Sequence, residues 1–300
     1  MIESTIPIIV NPAAGRGAGR RLIPRLERLA ESLSLPIEIL CTMGPGDAGE
    51  RAATLASAGA PLIGVAGGDG TISEVAGSLV GLSTAIAIIP AGTGNDLARH
   101  LGLPIDPEST IHALRRFRII KIDMGLANET PFIVAAGAGF DAAVAEAVNR
   151  GSGLMRGSAA FAIATIRTLW GYSPTQMQVE VDGIVEEFEG YFAVIANASG
   201  YGGGMKIAPG ASLFDGHLDV CCVMAAPRLS FLAAAGRVYR GRHVTHPAVL
   251  MRRGRQISVF SDPPVPVTVD GEVIHRTPLH VKVVPSALRV ALPGDLKQPA

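Results

Sequence analysis

The stretch that decides the fold is Gly67-Gly68-Asp69-Gly70-Thr71-Ile72-Ser73-Glu74. The apolar run Leu62–Ala66 before it predicts a buried strand, and Thr71–Leu79 predicts a helix. Glycines let the backbone adopt positive φ and approach a ligand closely. Thr71 and Glu74 match a capping box, which would start the helix where its free N–H groups face an anion. The stretch therefore predicts a phosphate-binding loop between a strand and a helix.

A carboxylate lies inside this loop, at Asp69. An acidic residue beside phosphates is tolerated when a cation such as Mg²⁺ is shared between them. The next predicted strand, Ala85–Ile89, is followed by Pro90-Ala91-Gly92-Thr93-Gly94-Asn95-Asp96, which repeats the pattern. There Thr93 offers a hydroxyl, Asn95 is predicted to cap a helix, and Asp96 is a second carboxylate. Two such loops on neighbouring strands predict one site for a phosphate and a metal.

The first third of the chain alternates strands and helices. Ile6–Val10 predicts a strand that ends in the glycine-rich loop Asn11 to Gly17, and leucines at helical spacing follow. Ile37–Thr42 predicts a strand and Ala48–Ala58 a helix. Alternating strands and helices predict a parallel sheet covered on both faces, and ligands bind beyond the carboxyl ends of such strands.

After Asp123 the pattern changes to strands with few helices between them. The segments Gly157–Leu169 and Ser230–Arg240 predict the two clear helices. We therefore predict an α/β domain of residues 1–125, joined by a C-terminal strand in residues 286–300, and a β-rich, antiparallel, sandwich-like domain of residues 126–285. The predicted strands of the second domain are Phe132–Ala136, Met177–Val181, Phe188–Ala196, Leu218–Met224, Gln256–Phe260, Pro266–Val269 and His280–Val284.

Charge and hydropathy narrow the classes of function. The chain has 26 Lys plus Arg and 26 Asp plus Glu, so its net charge is zero. It therefore lacks the excess of positive charge that is typical of nucleic-acid-binding proteins. The mean hydropathy is +0.35, yet the apolar runs are short. The longest stretch of low charge, Gly157–Gly171, is shorter than the ~20 residues that cross a bilayer. Because the N-terminus does not match a signal peptide, we expect a cytoplasmic protein.

These segments together resemble the diacylglycerol kinase catalytic family, which includes bacterial diacylglycerol kinases and is related to sphingosine and ceramide kinases and, by fold, to NAD kinases. The resemblance runs from Asn11 to Glu272. Its segments are NPAAGRG at 11–17, GGDGTISEV at 67–75, IPAGTGNDLAR at 89–99, Gly139-Phe140-Asp141, Tyr201 to Ala211, and Asp270-Gly271-Glu272. It implies ATP-dependent transfer of a phosphoryl group to a lipid hydroxyl, with a site in the cleft between the two domains.

The resemblance also assigns roles. Asp69 and Asp96 would organise catalytic Mg²⁺, with Asp123 in the same acidic network. Glu272 matches the proton acceptor, with Asp270 beside it. A structural Mg²⁺ would be held by the Asp215 carboxylate and by main-chain oxygens of Ser212 and His217. The residues that the resemblance places around ATP are Asn11, Thr42, Gly67, Gly68, Asp69, Gly70, Thr71, Ile72, Ser73, Glu74, Thr93 and Asn95.

Several alternatives remain open at this level. A kinase of a sphingoid base, a polyprenol or another amphipathic alcohol would share these motifs. An NAD kinase would share the GGDGT segment, and an inactive lipid-binding module would share the fold. Family members often form homodimers, but no residue here indicates an interface.

Clustered basic residues suggest a peripheral contact with the inner face of a membrane. One cluster is Arg115, Arg116, Arg118 and Lys121, and the other is Arg237, Arg240, Arg242, Arg252, Arg253 and Arg255. Arginines near an anionic surface favour binding to it. Solvated arginines around an ordinary core are the alternative.

Overall fold

The computed structural model describes residues 5–113, 116–150, 167–202, 204–294 and 296. The chain forms two compact units. The first runs to Met124 and resumes at Pro285, and the second is Gly125–Val284. Most of the predicted helix Gly157–Leu169, and Arg115 of the first basic cluster, lie outside the described residues. In the part of the chain that the structure describes, no helix combines the length and the apolar composition needed to cross a membrane.

The first unit contains the predicted alternation of strands and helices. Its central strands are apolar along their whole length and buried on both faces, as expected for a parallel sheet between helices. Its elements are β1 (Ile6–Val10), α1 (Ala14–Ser32), β2 (Ile37–Cys41), α2 (Asp47–Ser57), β3 (Leu62–Gly67), α3 (Asp69–Ser78), β4 (Ala85–Pro90), α4 (Asp96–His100), α5 (Pro107–Ala113), most of β5 (Phe117–Ala127) and the second part of β15 (Leu279–Pro293).

The strands of this unit lie in the order β2, β1, β3, β4, β15, and each neighbouring pair is parallel. Val10 lies opposite Ala66, and Gly67 lies opposite Pro90. Because the strands end at the same level, the loops after β1, β3 and β4 leave one edge of the sheet side by side. The predicted α/β domain with a parallel sheet is confirmed.

The helices of the first unit cover the sheet with apolar stripes. On α1, Leu22, Leu26 and Ala30 recur every fourth residue and are buried, and the two leucines pack in one core with the strands. A fully buried leucine contributes about 2 kcal/mol relative to an exposed one, so this stripe holds the helix in place. The loops that follow the strands are therefore anchored to a well-packed sheet.

The second unit is β-rich, and all its strand pairs within the unit are antiparallel. The predicted β-rich second domain is confirmed. Its elements, besides the ends of β5 and β15, are β6 (Thr130–Phe132), β7 (Ala135–Gly139), α6 (Phe140–Arg150), β8 (Thr175–Val181), β9 (Ile184–Ala196), β10 (Leu218–Met224), α7 (Arg228–Val238), a 3-10 turn (His243–Thr245), β11 (Val249–Gly254), β12 (Gln256–Asp262), β13 (Pro266–Val269) and β14 (Glu272–Arg276).

The long strand β9 connects two groups of strands in this unit. Its first half pairs with β8, and its second half pairs with β7 and β10. Side chains from β8 and β12 pack against those from β7, β9 and β10 in one core. The other face of the second group packs with α6 and α7 through Phe140 and Phe231. The predicted single strand Phe132–Ala136 was wrong, because the chain bends there and forms β6 and β7.

Candidate functional site

The glycine-rich loops after β1, β3 and β4 contact one another. The side-chain amide of Asn11 donates to the Thr71 hydroxyl at 2.9 Å. A Cβ atom added to Gly92 would lie 2.6 Å from the Cα of Gly68, closer than real Cβ contacts. A Cβ on Gly15 would lie 2.2 Å from the carbonyl oxygen of Ala91. Glycine is therefore required at these positions because the loops pack backbone against backbone.

The first of these loops has an unusual backbone. Gly15, Arg16 and Gly17 adopt positive φ values of 56°, 59° and 84°, although they lie within the span assigned to α1. Consecutive residues in such conformations can turn their N–H groups towards a shared concave surface, which suits an anion. The loop after β1 thus has a backbone suited to phosphate binding.

The loop after β3 starts a helix earlier than the sequence predicted. Helix α3 begins at Asp69 with Gly68 as its N-cap, and no side chain caps it. The predicted capping box of Thr71 and Glu74 was therefore wrong, because Thr71 already lies in the first turn and its hydroxyl accepts from Asn11. The first N–H groups of a helix have no partner within the helix, so they remain available to an anion.

Two carboxylates meet at this edge of the sheet. The Oδ1 atom of Asp69 accepts the main-chain N–H of Asp96 at 2.6 Å. A Cβ atom on Gly94 would lie 2.6 Å from Asp69 Oδ2 and 3.7 Å from Asp96 Oδ2. The Oδ2 atoms of Asp69 and Asp96 therefore lie around the same glycine. Neighbouring carboxylate oxygens are ligands that suit Mg²⁺.

Asn95 shapes the loop after β4. It adopts a φ of 52°, and its side chain accepts the Gly92 N–H at 2.9 Å and donates to the Gly92 carbonyl at 3.1 Å. Asn95 does occupy the N-cap position of the next helix, as predicted, but its side chain forms no cap bond because the amide is used inside the loop. Asn95 is buried, whereas Thr93 is exposed on the same loop.

The other predicted nucleotide-binding residues surround these loops. The N–H of Thr42 donates to the Val10 carbonyl at 2.8 Å, so Thr42 follows β2 beside the first loop. The side chain of Ile72 lies in the core, which leaves only its main chain for a phosphate. Ser73 and Glu74 are half-buried in α3, and Gly70 is exposed. Their contacts with a nucleotide remain a prediction.

Asp123 is buried in β5, where its Oδ1 accepts the N–H of Ser286 at 2.7 Å. This bond ties β5 to the returning strand β15. The predicted membership of Asp123 in the acidic network of Asp69 and Asp96 stays a prediction.

In the second unit, Asp270 and Glu272 occupy different environments. The Asp270 carboxylate accepts three main-chain N–H groups, from Ile133 and Val134 at 2.9 Å and from Ala135 at 3.1 Å. Glu272 begins β14 and is exposed. Asp270 therefore holds the chain between β6 and β7, while Glu272 remains accessible to a reacting group.

The predicted structural metal site lies in a tight turn. Asp215 Oδ1 accepts the His217 N–H at 3.0 Å, and its Oδ2 forms an ion pair with Arg253. Burial raises the pKa of nearby Asp219, an effect that the charge of Arg253 opposes. One oxygen of Asp219 is buried without a hydrogen-bond partner. A cation would satisfy that oxygen, so this turn fits a divalent metal.

No group of three or more His, Cys, Asp or Glu side chains suited to a metal occurs among the described residues. This is compatible with the predicted site, because two of its three expected donors, from Ser212 and His217, are main-chain oxygens. Asp219 was not predicted to bind a metal, although it ends the acidic segment Asp215 to Asp219 and lies between the apolar residues Leu218 and Val220 at the start of a strand.

Asp141 is a second residue to which sequence reasoning gave no role of its own. Its carboxyl lies at the start of α6 and accepts a hydrogen bond from the Tyr201 hydroxyl. Although part of its surface is accessible, the protein encloses it closely, and the loss of hydration raises its pKa to about 6. Asp141 and Tyr201 both belong to segments that carry the family resemblance.

Comparison with known proteins agrees with this arrangement. Residues 5–127 match the model of the diacylglycerol kinase catalytic domain, and residues 134–292 match that of the YegS C-terminal NAD kinase beta sandwich-like domain. A diacylglycerol kinase of Mycobacterium tuberculosis is 30% identical over 305 residues, covering 96% of this chain and 95% of that protein. One of Staphylococcus carnosus is 27% identical over 296 residues, covering 97% and 95%.

A crystal structure of a diacylglycerol kinase from Bacillus anthracis has the same fold. Its TM-score with this chain is 0.74 at 22% sequence identity, covering 95% of this chain and 96% of that one. The predicted resemblance is confirmed by the two family models and by relatives that match over nearly their whole length. The chain belongs to the diacylglycerol kinase family.

Proposed function

We propose that this protein transfers the γ-phosphate of ATP to a hydroxyl group of a lipid such as diacylglycerol. The observation that carries the proposal is the contact between three glycine loops at one sheet edge, with Asp69 and Asp96 beside them. Phosphoryl transfer depends on positioning and on neutralising charge, and these loops supply both. The names of the relatives support a lipid as the acceptor.

The loops would bind the triphosphate through main-chain N–H groups. Those of the Gly15–Gly17 turn and of the first turn of α3 are the candidates. Asp69 and Asp96 would hold a Mg²⁺ ion, which when bound offsets the charge of the phosphates. Asp215 and Asp219 would hold a second ion that stabilises their turn. The remaining carboxylate, Asp123, would contribute indirectly, by holding β5 to β15 through its bond to the Ser286 N–H.

Glu272 would serve as the proton acceptor. The lipid hydroxyl oxygen forms a bond to the γ-phosphorus while the bond from that phosphorus to the β,γ-bridging oxygen breaks. The hydroxyl proton passes to the Glu272 carboxylate, and ADP leaves with the bridging oxygen. Glu272 suits this role better than Asp270, since both oxygens of Asp270 already accept N–H groups.

Radiolabelled ATP and Mg²⁺, incubated with the purified chain and micelles containing diacylglycerol, test the proposal. We expect labelled phosphatidic acid to form. Asp69→Asn should reduce its rate by more than 100-fold, because the amide keeps an oxygen for the Asp96 N–H but loses the charge. Glu272→Gln should reduce turnover sharply without a change in stability.

Glu27→Gln, an exposed position on α1, is the matched control and should react at the wild-type rate. A panel that includes a sphingoid base, a polyprenol and NAD determines the acceptor class. Transfer to NAD and to no lipid would contradict the proposal. So would unchanged lipid phosphorylation by Asp69→Asn.

A further inference from the structure

A long segment of the second unit carries positive charge alone. No Asp or Glu occurs between Asp219 and Asp262. The seven arginines of this segment are Arg228, Arg237, Arg240, Arg242, Arg252, Arg253 and Arg255. A net-neutral protein has therefore concentrated one sign of charge in one segment, which is a feature of binding surfaces for anions.

The structure divides five of these arginines into two sets. Arg252 forms an ion pair with Glu186, and Arg253 forms one with Asp215. Arg237, Arg240 and Arg242 are exposed, and none of them forms an ion pair with a described residue. We call these three residues the arginine turn. Internal pairing accounts for the first set but not for the second.

The backbone gathers the arginine turn at the end of α7. The N–H of Arg242 donates to the Arg237 carbonyl at 3.1 Å, and the N–H of Gly241 donates to the Val238 carbonyl at 3.0 Å. Gly241 has a φ of 65°, so the helix ends in a Schellman motif. In this motif the N–H groups of Arg240 and Arg242 both donate to the Arg237 carbonyl, so the backbone of the three arginines is held within one turn.

A fourth cation adjoins the arginine turn. The N–H of Lys206 donates to the Val238 carbonyl at 3.1 Å, and its side chain is exposed. Its Cβ would lie 3.7 Å from a Cβ placed on Gly241. Four positive charges therefore surround the end of a single helix. One or two positive charges would suffice to complement the helix dipole. The remaining charges are therefore available to bind an external anion.

Exposed aromatic side chains accompany these charges. Tyr239, inside the arginine turn, is 56% exposed, and Trp170 is 58% exposed. The Arg228 guanidinium donates to the Trp170 carbonyl at 3.2 Å, so Trp170 lies beside the start of α7. Tyrosine and tryptophan with nearby arginine are characteristic of residues at the boundary between water and lipid.

We propose that a surface along α7 docks on an anionic lipid bilayer. This surface extends from Trp170, which lies beside the first residue of α7, to the arginine turn at the end of the helix. The charges and the aromatic side chains complement phosphate head groups and the acyl boundary beneath them. The proposal rests on the proposed function and deepens it, since it assigns the surface by which the protein reaches a lipid acceptor. Binding to vesicles tests it without ATP, diacylglycerol or turnover.

Sedimentation with vesicles measures the electrostatic part. The triple variant Arg237→Gln, Arg240→Gln, Arg242→Gln is compared with wild type on phosphatidylcholine vesicles with and without phosphatidylglycerol. Each arginine near such a surface contributes about fivefold in affinity, so the triple variant should bind the anionic vesicles on the order of 100-fold more weakly. Added salt should weaken wild-type binding as well.

A second triple variant, Arg20→Gln, Arg28→Gln, Lys282→Gln, is the matched control. All three side chains are exposed, form no ion pair with a described residue and lie outside the segment between Asp219 and Asp262, so their replacement removes the same charge elsewhere on the protein. This control should bind anionic vesicles nearly as tightly as wild type. An equal loss in the control and in the triple variant would show a dependence on net charge alone and would overturn the assignment.

Trp170 reports directly on the other end of the surface, because it is the single tryptophan of the chain. On binding to anionic vesicles its emission should shift to shorter wavelength, and lipids with brominated acyl chains should quench it. Binding without either change would refute the extension of the surface to Trp170.

Other occupants give distinct results. If the triple variant keeps its vesicle affinity but changes a dimer into a monomer, a second copy covers the surface and the proposal fails. If it instead loses binding to duplex DNA and not to vesicles, the proposal also fails. The triple variant should phosphorylate diacylglycerol in neutral detergent micelles at the wild-type rate. Absence of activity in every variant, wild type included, would refute the proposed function while the vesicle result still stands.

Discussion

Gly94 allows the proximity of Asp69 and Asp96 to be tested by adding one methyl group. In Gly94→Ala the new Cβ would lie 2.6 Å from Asp69 Oδ2, which is below any ordinary contact. Gly94 does not adopt positive φ, so alanine fits its backbone without strain. The substitution should therefore move a carboxylate of the candidate site and leave the loop otherwise intact.

The size of the effect follows from the contact distance. An ordinary contact begins at 3.4 Å, so Asp69 Oδ2 must move by about 0.8 Å. A misplacement of about 1 Å in a catalytic group can cost about 100-fold in rate. We expect kcat to fall about 100-fold, which corresponds to about 3 kcal/mol in activation free energy. Stability should fall by only about 1 kcal/mol, because at most one hydrogen bond, from the Asp96 N–H, is weakened.

Steady-state kinetics with diacylglycerol micelles, together with denaturant unfolding, measures both quantities. Gly236→Ala is the control, since Gly236 is exposed in α7 and an added Cβ meets nothing within 4 Å. Wild-type kcat in Gly94→Ala would refute the inference that Asp69 lies at the reaction centre. A loss of activity that matched a loss of several kcal/mol in unfolding free energy would show instead that the loop had collapsed.

Three further predictions concern the second unit. Asp270→Ala should lower the free energy of unfolding by about 3 kcal/mol in denaturant titrations, because three N–H groups lose their acceptor, whereas Glu272→Gln should leave it unchanged. Burial raises the pKa of Asp141 to about 6, above its ordinary value of 3.8. The folded state therefore keeps this proton at higher pH than the unfolded state does, and stability is lost as pH rises between about 4 and 6. Asp141→Asn should therefore be more stable than wild type by on the order of 2 kcal/mol at pH 7 and gain nothing at pH 4, and an equal difference at both pH values would contradict this account. We expect Mg²⁺ to raise the Tm of the wild type and to leave the Tm of Asp219→Asn unchanged, and an equal rise in both would place the metal elsewhere.

The sequence predicted strands β1 to β4 closely because they are short apolar runs between breakers, whereas β5 was missed because Arg118, Lys121 and Asp123 interrupt its apolar residues. Ile6–Val10 matches its prediction, and Leu62–Gly67 and Ala85–Pro90 exceed theirs by one residue each. Helix α6 was missed although Phe140, Val144 and Val148 recur every fourth residue, because the glycines just before it favour a loop. The short helix α5 was missed because seven residues show barely two turns of periodicity, and α4 was anticipated only through its cap, Asn95.

Candidate site residues were found more easily than their local bonds. Asp69 and Asp96 were placed on one rim by their position after neighbouring parallel strands, and the structure gives them a direct hydrogen bond. Neither Thr71 nor Asn95 forms the predicted side-chain cap bond, because a residue pattern cannot show that another partner, Asn11 for Thr71 and Gly92 for Asn95, engages the side chain. The Asn11 amide reaches Thr71 across 60 positions of sequence, and only packing of the sheet brings them together.

The segment Asp270-Gly271-Glu272 illustrates why a motif does not by itself separate structural from chemical roles. Asp270 and Gly271 both have positive φ, at 45° and 86°, so the turn restricts which residues these positions accept. The Asp270 carboxylate also serves three N–H groups, while Glu272 faces solvent. Loss of activity would therefore follow from replacing either acidic residue, through unfolding in one case and through proton transfer in the other. A drop in kcat at unchanged unfolding free energy is the result that would assign the proton acceptor, and we expect it for Glu272 alone.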